Sequence, residues 1–271
     1  MPATDLPLLI DTARAAGDIS TRYSGPEAKR WDKPGGAGPV TEADLAVNEM
    51  LEDRLRSARP DYGWLSEESE DSRDRLEHRH VFIVDPIDGT RSFAEGDKNW
   101  AHALAVVEAG EVTAAVIYLP MRDLLYSAAR GQGARLNGEA IRAEDVADLP
   151  HATILATRPN LDPQHWRGGV FPGFKSAYRS SLAYRMALVA QGRFDGMLTL
   201  RPSWEWDIAA GDLILREAGA RCTDRSGAPM RFNNPHPQIN GVLAAGPLLH
   251  DKMAAALAPE LVLPGGDHPA S

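Results

Sequence analysis

Cysteine is almost missing from this chain: Cys222 is the only one in 271 residues. One thiol can make neither an internal disulfide nor a multi-cysteine metal site. Basic charge is also short, with 29 Lys and Arg against 38 Asp and Glu and a formal net charge of −9. That balance excludes a general nucleic-acid binder, which needs a basic surface to meet phosphates. Long apolar runs are lacking too. The best stretch, Ala101–Pro120, is broken by Glu108 and Glu111, short of the roughly 18 apolar residues of a membrane span. Met1–Ile10 carries no positive charge ahead of its short apolar part and runs into Asp11, so no signal peptide is read there. No internal repeat or low-complexity segment appears. The chain is, however, 43% hydrophobic and 25% charged. It can bury a sizeable core, which excludes disorder and points to a soluble cytoplasmic protein of one large or two small domains.

The pattern of apolar residues gives the elements. Leu6, Leu9, Ile10, Ala13, Ala16 and Ile19 recur at helical spacing over 5–23, with Asp5 as a cap and Gly25-Pro26 as a stop. Lys33-Pro34-Gly35-Gly36-Ala37-Gly38-Pro39 reads as a mobile surface loop, and Thr41 opens a second helix that Pro60 ends. Tyr62–Leu65 and Val81–Val84 read as strands, the second ending at Asp85. His102–Val107 and Val112–Leu119 form a hairpin around Ala109-Gly110, and Leu124–Ala128 and Gly131–Gly138 extend its sheet. Strands follow at Ile154–Thr157, Met197–Leu200 and Gly241–Ala245, with helices at Leu182–Gln191 and Asp207–Ala218. The tail from Pro264 reads as loose. This mixture predicts an α/β (α+β) layered sandwich, with an N-terminal sub-region 1–145 and a C-terminal sub-region 146–271.

The most informative segment is Val84-Asp85-Pro86-Ile87-Asp88-Gly89-Thr90. An apolar strand delivers two carboxylates to a turn. Pro86 stiffens the turn, the Ile87 carbonyl is left free for a cation, and Gly89-Thr90 can open a helix whose N–H groups face an anion. Carboxylates beside a helix start suggest a hard cation next to a phosphate. The plain alternative is Asp88 as an N-cap. Glu67-Glu68 follow their own apolar strand, where a neighbouring strand could bring Glu67 beside Asp85; two adjacent acids are otherwise an ordinary solvated pair. Trp206-Asp207-Ile208-Ala209-Ala210-Gly211 lies 119 residues after Asp88, and Asp207 alone would be an ordinary helix cap. Lys33, Thr41 and Asp44 form a fourth element, in which Thr41 is explained by capping alone.

In combination and in this order, these elements resemble the inositol monophosphatase family of metal-dependent, lithium-sensitive phosphatases, over roughly residues 30–245. The resemblance implies an α/β/α/β/α sandwich, usually dimeric. It implies two to three Mg²⁺ ions: one held by Glu67, Asp85 and the Ile87 carbonyl, a second by Asp85, Asp88 and Asp207, and a third, weaker one near Glu67 and Glu68. It further implies that Thr41, Asp44 and Thr90 orient the attacking water, with Lys33 close by. Mg²⁺ suits a phosphate dianion, because it inverts the charge of an acidic site and lowers the pKa of bound water. No histidine base is needed, and the eight histidines read as structural or surface residues. Cys222 reads as structural.

The substrate branch is divided. Gly131-Gln132-Gly133-Ala134 with Asn137-Gly138 is similar to the inositol monophosphatase branch. Ser180-Ser181-Leu182 and Glu205-Trp206-Asp207 are similar to 3′(2′),5′-bisphosphate nucleotidases, and Thr90-Arg91-Ser92-Phe93 to histidinol-phosphate phosphatases. Inositol-specific members tend to carry an acid seven residues before the aspartate of the tryptophan motif; this chain has Leu200 there, then Arg201. Arg201 suits a second anionic group, or is a surface charge at a strand end. The substrate-binding set is therefore Asp88, Gly89, Thr90, Arg201 and Asp207, around a small phosphorylated metabolite, with neither nucleic-acid polymer nor membrane as partner. A non-catalytic member serving RNA machinery or regulation is the rival from another class; the full set of expected ligands and the acidic surface argue against it.

Overall fold

The computed structural model describes residues 5–23, 25, 28–33 and 38–259. In chain order the elements are α1 (Asp5–Ser20), β1 (Arg30–Asp32), β2 (Pro39–Thr41), α2 (Glu42–Ala58), β3 (Gly63–Ser66), β4 (His80–Asp88), α3 (Thr90–Ala94), β5 (Ala101–Glu108), β6 (Glu111–Leu119), β7 (Leu124–Ala129), β8 (Ala134–Leu136) and β9 (Glu139–Ala140). They continue with β10 (Thr153–Leu155), β11 (Lys175–Ala177), α4 (Leu182–Ala190), β12 (Gly196–Thr199), β13 (Ser203–Trp204), α5 (Glu205–Glu217), β14 (Arg221–Thr223), β15 (Gln238–Ile239), β16 (Val242–Ala245) and α6 (Pro247–Ala256). No helix among the described residues is long and apolar enough to cross a membrane.

A seven-stranded sheet runs in the order β3-β4-β5-β6-β7-β8-β9, with β3 and β4 parallel. A five-stranded sheet runs β11-β10-β12-β16-β14. Strand alternation builds the layers. Phe82 and Val84 of β4 pack with Leu9, Ala13, Val47 and Leu51 of α1 and α2. Val81 and Ile83, on the opposite face, pack with Met186 of α4 and Leu213 of α5. The same central core reaches Leu155, Met197 and Ala244 of the second sheet, whose other face buries Leu198, Leu243 and Ala245 against Leu249 and Met253 of α6. The result is the expected α/β/α/β/α order. Both faces of β4 are covered, which explains its unbroken apolar run. Small residues in α5 let the middle helices approach: a Cβ at Gly211 would come within 2.5 Å of Met186 Sδ.

Several boundaries differ from the sequence expectation. Helix α1 stops at Ser20, three residues early. Strand β4 does not end at Asp85 but continues to Asp88, because Asp85 and Asp88 still pair with Ala103 and Ala101 of β5 across a register shift. Helix α5 begins at Glu205 rather than Asp207, because Trp204 is its N-cap. Helix α6 and strands β14 and β15 were not legible as separate elements. Pro26, the centre of the 33–39 loop and the tail from Pro264 lie outside the described residues.

Candidate active site

Pairing of β3 with β4 creates the centre of the site. Ser66 is in register with Val84, and the Glu67 N–H donates to the Val84 carbonyl, which sets Glu67 beside Asp85. The first turn of α5 adds Asp207. Carboxylate oxygens of Glu67, Asp85 and Asp207 all lie within 4.8 Å of one another. Asp85 is 1% exposed, and neither of its carboxylate oxygens has a hydrogen-bond partner. A buried carboxylate without a donor is costly unless a cation joins it. Burial pushes the Asp85 pKa well up, and Glu67, Asp88 and Asp207 push it further. Burial likewise raises Asp207, helped by Asp88 and Glu67 and opposed by Arg201 and by a hydrogen bond from the Trp204 N–H. An all-oxygen, acid-rich donor set of this kind fits a hard divalent cation.

Asp88 is treated differently. Its Oδ2 accepts from Ser181 Oγ at 2.5 Å and from the Ala183 N–H at 2.7 Å, and its Oδ1 accepts from the Leu182 N–H at 3.3 Å. Burial raises its pKa to about 6 against the pull of these donors. It stands outside the three-acid group, leaving Oδ1 with spare capacity. Asp88 is thus not the cap of its own following helix; Gly89 is, at φ +96°, while Asp88 accepts the Leu182 and Ala183 N–H groups in the first turn of α4, whose N-cap is Ser181. A Cβ at Gly89 would meet the Asn99 carbonyl at 3.3 Å and Trp100 Cβ at 3.4 Å, so that position requires glycine.

The second side of the site is a hydroxyl–carboxylate chain. Thr41 caps α2 in a reciprocal box: its N–H donates to Asp44 Oδ2 at 2.8 Å, and its Oγ1 is 2.5 Å from the same oxygen. Thr90 Oγ1 lies 3.3 Å from Asp44 Oδ1 and 3.0 Å from the Ile87 carbonyl, so its single proton serves one of them at a time. Burial raises Asp44 to about 6 despite the Thr41 bonds. Lys33 Nζ reaches Glu67 at 2.9 Å and Glu68 at 2.6 Å. Burial alone would lower the Lys33 pKa, but Glu67 and Glu68 carry it upward. Burial raises Glu68 to about 7. Behind this turn, Ser66 donates to Asn48 of α2, and Asn48 and Trp64 both donate to Ser69.

The structure therefore gathers Lys33, Thr41, Asp44, Glu67, Glu68, Asp85, Ile87, Asp88, Gly89, Thr90 and Asp207. Arg201 stands apart: it is exposed on the bend after β12, and its guanidinium makes no ion pair among the described residues, although its charge is felt at Asp207. Leu200 beside it is buried in the second sheet's outer core. Sequence reading missed the amide ends of α4 at Leu182 and Ala183, since no local signal says that a helix start will meet an aspartate more than 90 residues away. It also missed His102, whose strand position in an apolar run was the one available cue.

The sequence pattern of the inositol monophosphatase family matches residues 3–261. The chain belongs to this family. It is 33% identical over 267 residues to "Nus factor SuhB" of Escherichia coli K12, covering 94% of this chain and 96% of that one. It is 37% identical over 208 residues to an inositol-1-monophosphatase of Rhizobium meliloti, covering 71% and 74%. Among solved structures, the IMPase of Thermotoga maritima superposes with a TM-score of 0.79 at 30% identity, over 92% of this chain and 95% of that one. The extragenic suppressor protein suhB of Bartonella henselae gives the same score and identity over 93% and 98%.

Proposed function

We propose that this family member is a Mg²⁺-dependent phosphomonoesterase acting on a small phosphorylated metabolite, as inositol monophosphatases do. The observation that carries this reading is the buried, donor-free carboxylate of Asp85 between Glu67 and Asp207. Glu67, Asp85 and the Ile87 carbonyl would hold one ion; Asp85, Asp207 and the less engaged Oδ1 of Asp88 a second; Glu67 with Glu68 a third. Such ions polarise the phosphoryl oxygens, offset the charge of the dianion and acidify bound water. The protein's own groups do the rest. Thr41 fixes Asp44, and Asp44 and Thr90 offer facing acceptor and hydroxyl groups to orient a water. Gly89 lets the backbone approach the phosphate, and Lys33 balances the glutamates. Lithium inhibition, a homodimer and a cytoplasmic location go with the same reading.

Within this class the ester is an inositol phosphate first. A 3′(2′),5′-bisphosphate nucleotide is second, favoured by Leu200 where the acid would stand and by Arg201 next to it, and histidinol phosphate third. Phosphate release from inositol 1-phosphate, adenosine 3′,5′-bisphosphate and histidinol phosphate with Mg²⁺ ranks them. Release from none of the three, nor from a wider set of monoesters, would reject the enzyme reading. A regulatory role is the second reading, favoured by the name Nus factor on a relative at 33% identity. It predicts a protein that binds a transcription component even when Asp85 is replaced by Asn. Light scattering at twice 29.4 kDa checks the dimer.

A further inference from the structure

One buried histidine sits where the acid-bearing strand loses its regular pairing. Asp85 pairs with Ala103 and Asp88 with Ala101, so Pro86 and Ile87 together oppose the single residue His102. That is a two-against-one bulge. Proline has no N–H to give the ladder. The Pro86 carbonyl instead meets His102 Nδ1. His102 is fully buried, and its other nitrogen, Nε2, lies 2.9 Å from Ser20 Oγ at the end of α1. These partners set the tautomer. A carbonyl only accepts, so Nδ1 carries the proton, and Nε2 then accepts the Ser20 hydroxyl proton. Trp100 lies edge-on to the ring at 5.5 Å between centroids and Tyr118 tilts over it at 6.5 Å, so the imidazole has little room to turn.

The geometry points to His102 as a positioning residue, whose Nδ1–H holds the Pro86–Ile87 peptide in the orientation that sets Asp85 and the Ile87 carbonyl toward one cation and Asp88 toward α4. The inference rests on the metal reading of the site. Between the two aspartates the Pro86 carbonyl is anchored by His102, whose ring runs on to the end of α1, while the next carbonyl, that of Ile87, is met by Thr90 Oγ1. If the anchor is lost, the bulge can rotate, and the donor atoms on either side of Pro86 lose their common focus. Groups that orient metal ligands from behind usually matter about 10–100-fold in affinity or activity.

The test uses isosteres. In His102→Asn the Asn Nδ2 stands where Nδ1 stood, whereas in His102→Gln the amide stands where Nε2 stood. Calorimetric Mg²⁺ titration of the chelator-stripped full chain should show affinity falling about 10-fold or more in His102→Gln and His102→Phe, and largely restored in His102→Asn. Equal affinity in all four proteins, or a loss in His102→Asn as large as in His102→Gln, would overturn the inference. Wild-type protein that binds no Mg²⁺ would instead overturn the metal reading, and this inference with it. Should the variants not fold, nitrogen NMR of the wild-type imidazole decides. A proton on Nδ1, with a signal that moves when Mg²⁺ is added, supports the assignment; a proton on Nε2, or a signal indifferent to Mg²⁺, refutes it.

Discussion

The first turn of α5 carries two acids, Glu205 and Asp207, that the fold treats in opposite ways. Glu205 is fully buried and accepts from the Asn233 N–H at 2.6 Å, the Asn234 N–H at 2.9 Å and Asn234 Nδ2 at 2.6 Å. Asp207, two residues on, keeps one backbone donor and faces Glu67 and the donor-free Asp85. Where a carboxylate is structural, the loop from β14 to β15 closes on it with N–H groups. Where the carboxylates converge, like charges are packed together and the central one, Asp85, is left without a donor. Burial raises both pKa values, but only Asp207 has acids adding to the rise. This contrast separates a satisfied structural acid from one that, on the proposed function, would take a cation.

The sharpest way to break the contrast is to neutralise the site side. Asp85→Asn should lower turnover by more than about 100-fold, since it removes a central ligand charge at constant volume. The same variant, metal-free, should melt a few degrees higher than wild type, because wild type must bury a repelled charge or take up a proton at Asp85. Turnover close to wild type at saturating Mg²⁺ would contradict it.

On the structural side, Glu205→Ala should cost roughly 2–4 kcal/mol of stability by orphaning the N–H groups of the 233–234 loop. Its Mg²⁺ affinity should change far less than that of Asp85→Asn. Denaturant unfolding and calorimetry on the two variants give the cross-over; similar profiles for both would dissolve the distinction.

Arg201 tests the open flank of Asp207. If the ester carries a second anion, Arg201→Ala should raise KM by roughly 1.5–3 kcal/mol equivalent with kcat little changed. That effect should appear with adenosine 3′,5′-bisphosphate and not with inositol 1-phosphate. The same effect on both esters would return Arg201 to the role of a surface charge.

The smallest expected effect is in pH dependence. Folding raises Asp44 and Asp88 to about 6 and Glu68 to about 7. Between their unfolded values near 4 and these folded ones, the native state binds more protons than the unfolded state. Their contribution to the stability of metal-free protein therefore falls as pH rises through about 4 to 7. The melting gain from Mg²⁺ should be larger at pH 7.5 than at pH 5. Equal gains at both pH values would mean that these acids are not what the ion relieves.

How far the sequence reaches is clear from these residues. The layered fold was legible because the apolar run of β4, the 101–119 hairpin and the helical pattern of 207–218 obey local periodicity. The acids of the site were legible because each sits at the end of an apolar strand or the start of a helix. The donors were not. Ser181 and Ala183 reach Asp88 across 93 and 95 residues, and Asn233 and Asn234 reach Glu205 from a separate loop. Pairing at such separations is set by sheet order and layer stacking, which no local pattern encodes. The extension of β4 through Pro86 was hidden for a similar reason, since a proline normally ends a strand and here the His102 side chain on β5 donates to the Pro86 carbonyl across the bulge.

On the proposed function, the donor-free carboxylate of Asp85, with Glu67 and Asp207 beside it, is completed by Mg²⁺ for phosphate-ester hydrolysis. Phosphate release by chelator-stripped protein, measured on the best ester of the panel as Mg²⁺ is returned, tests it most directly. Turnover should be absent in excess EDTA and return with added Mg²⁺; full turnover by metal-stripped protein in EDTA would overturn the metal-dependent reading.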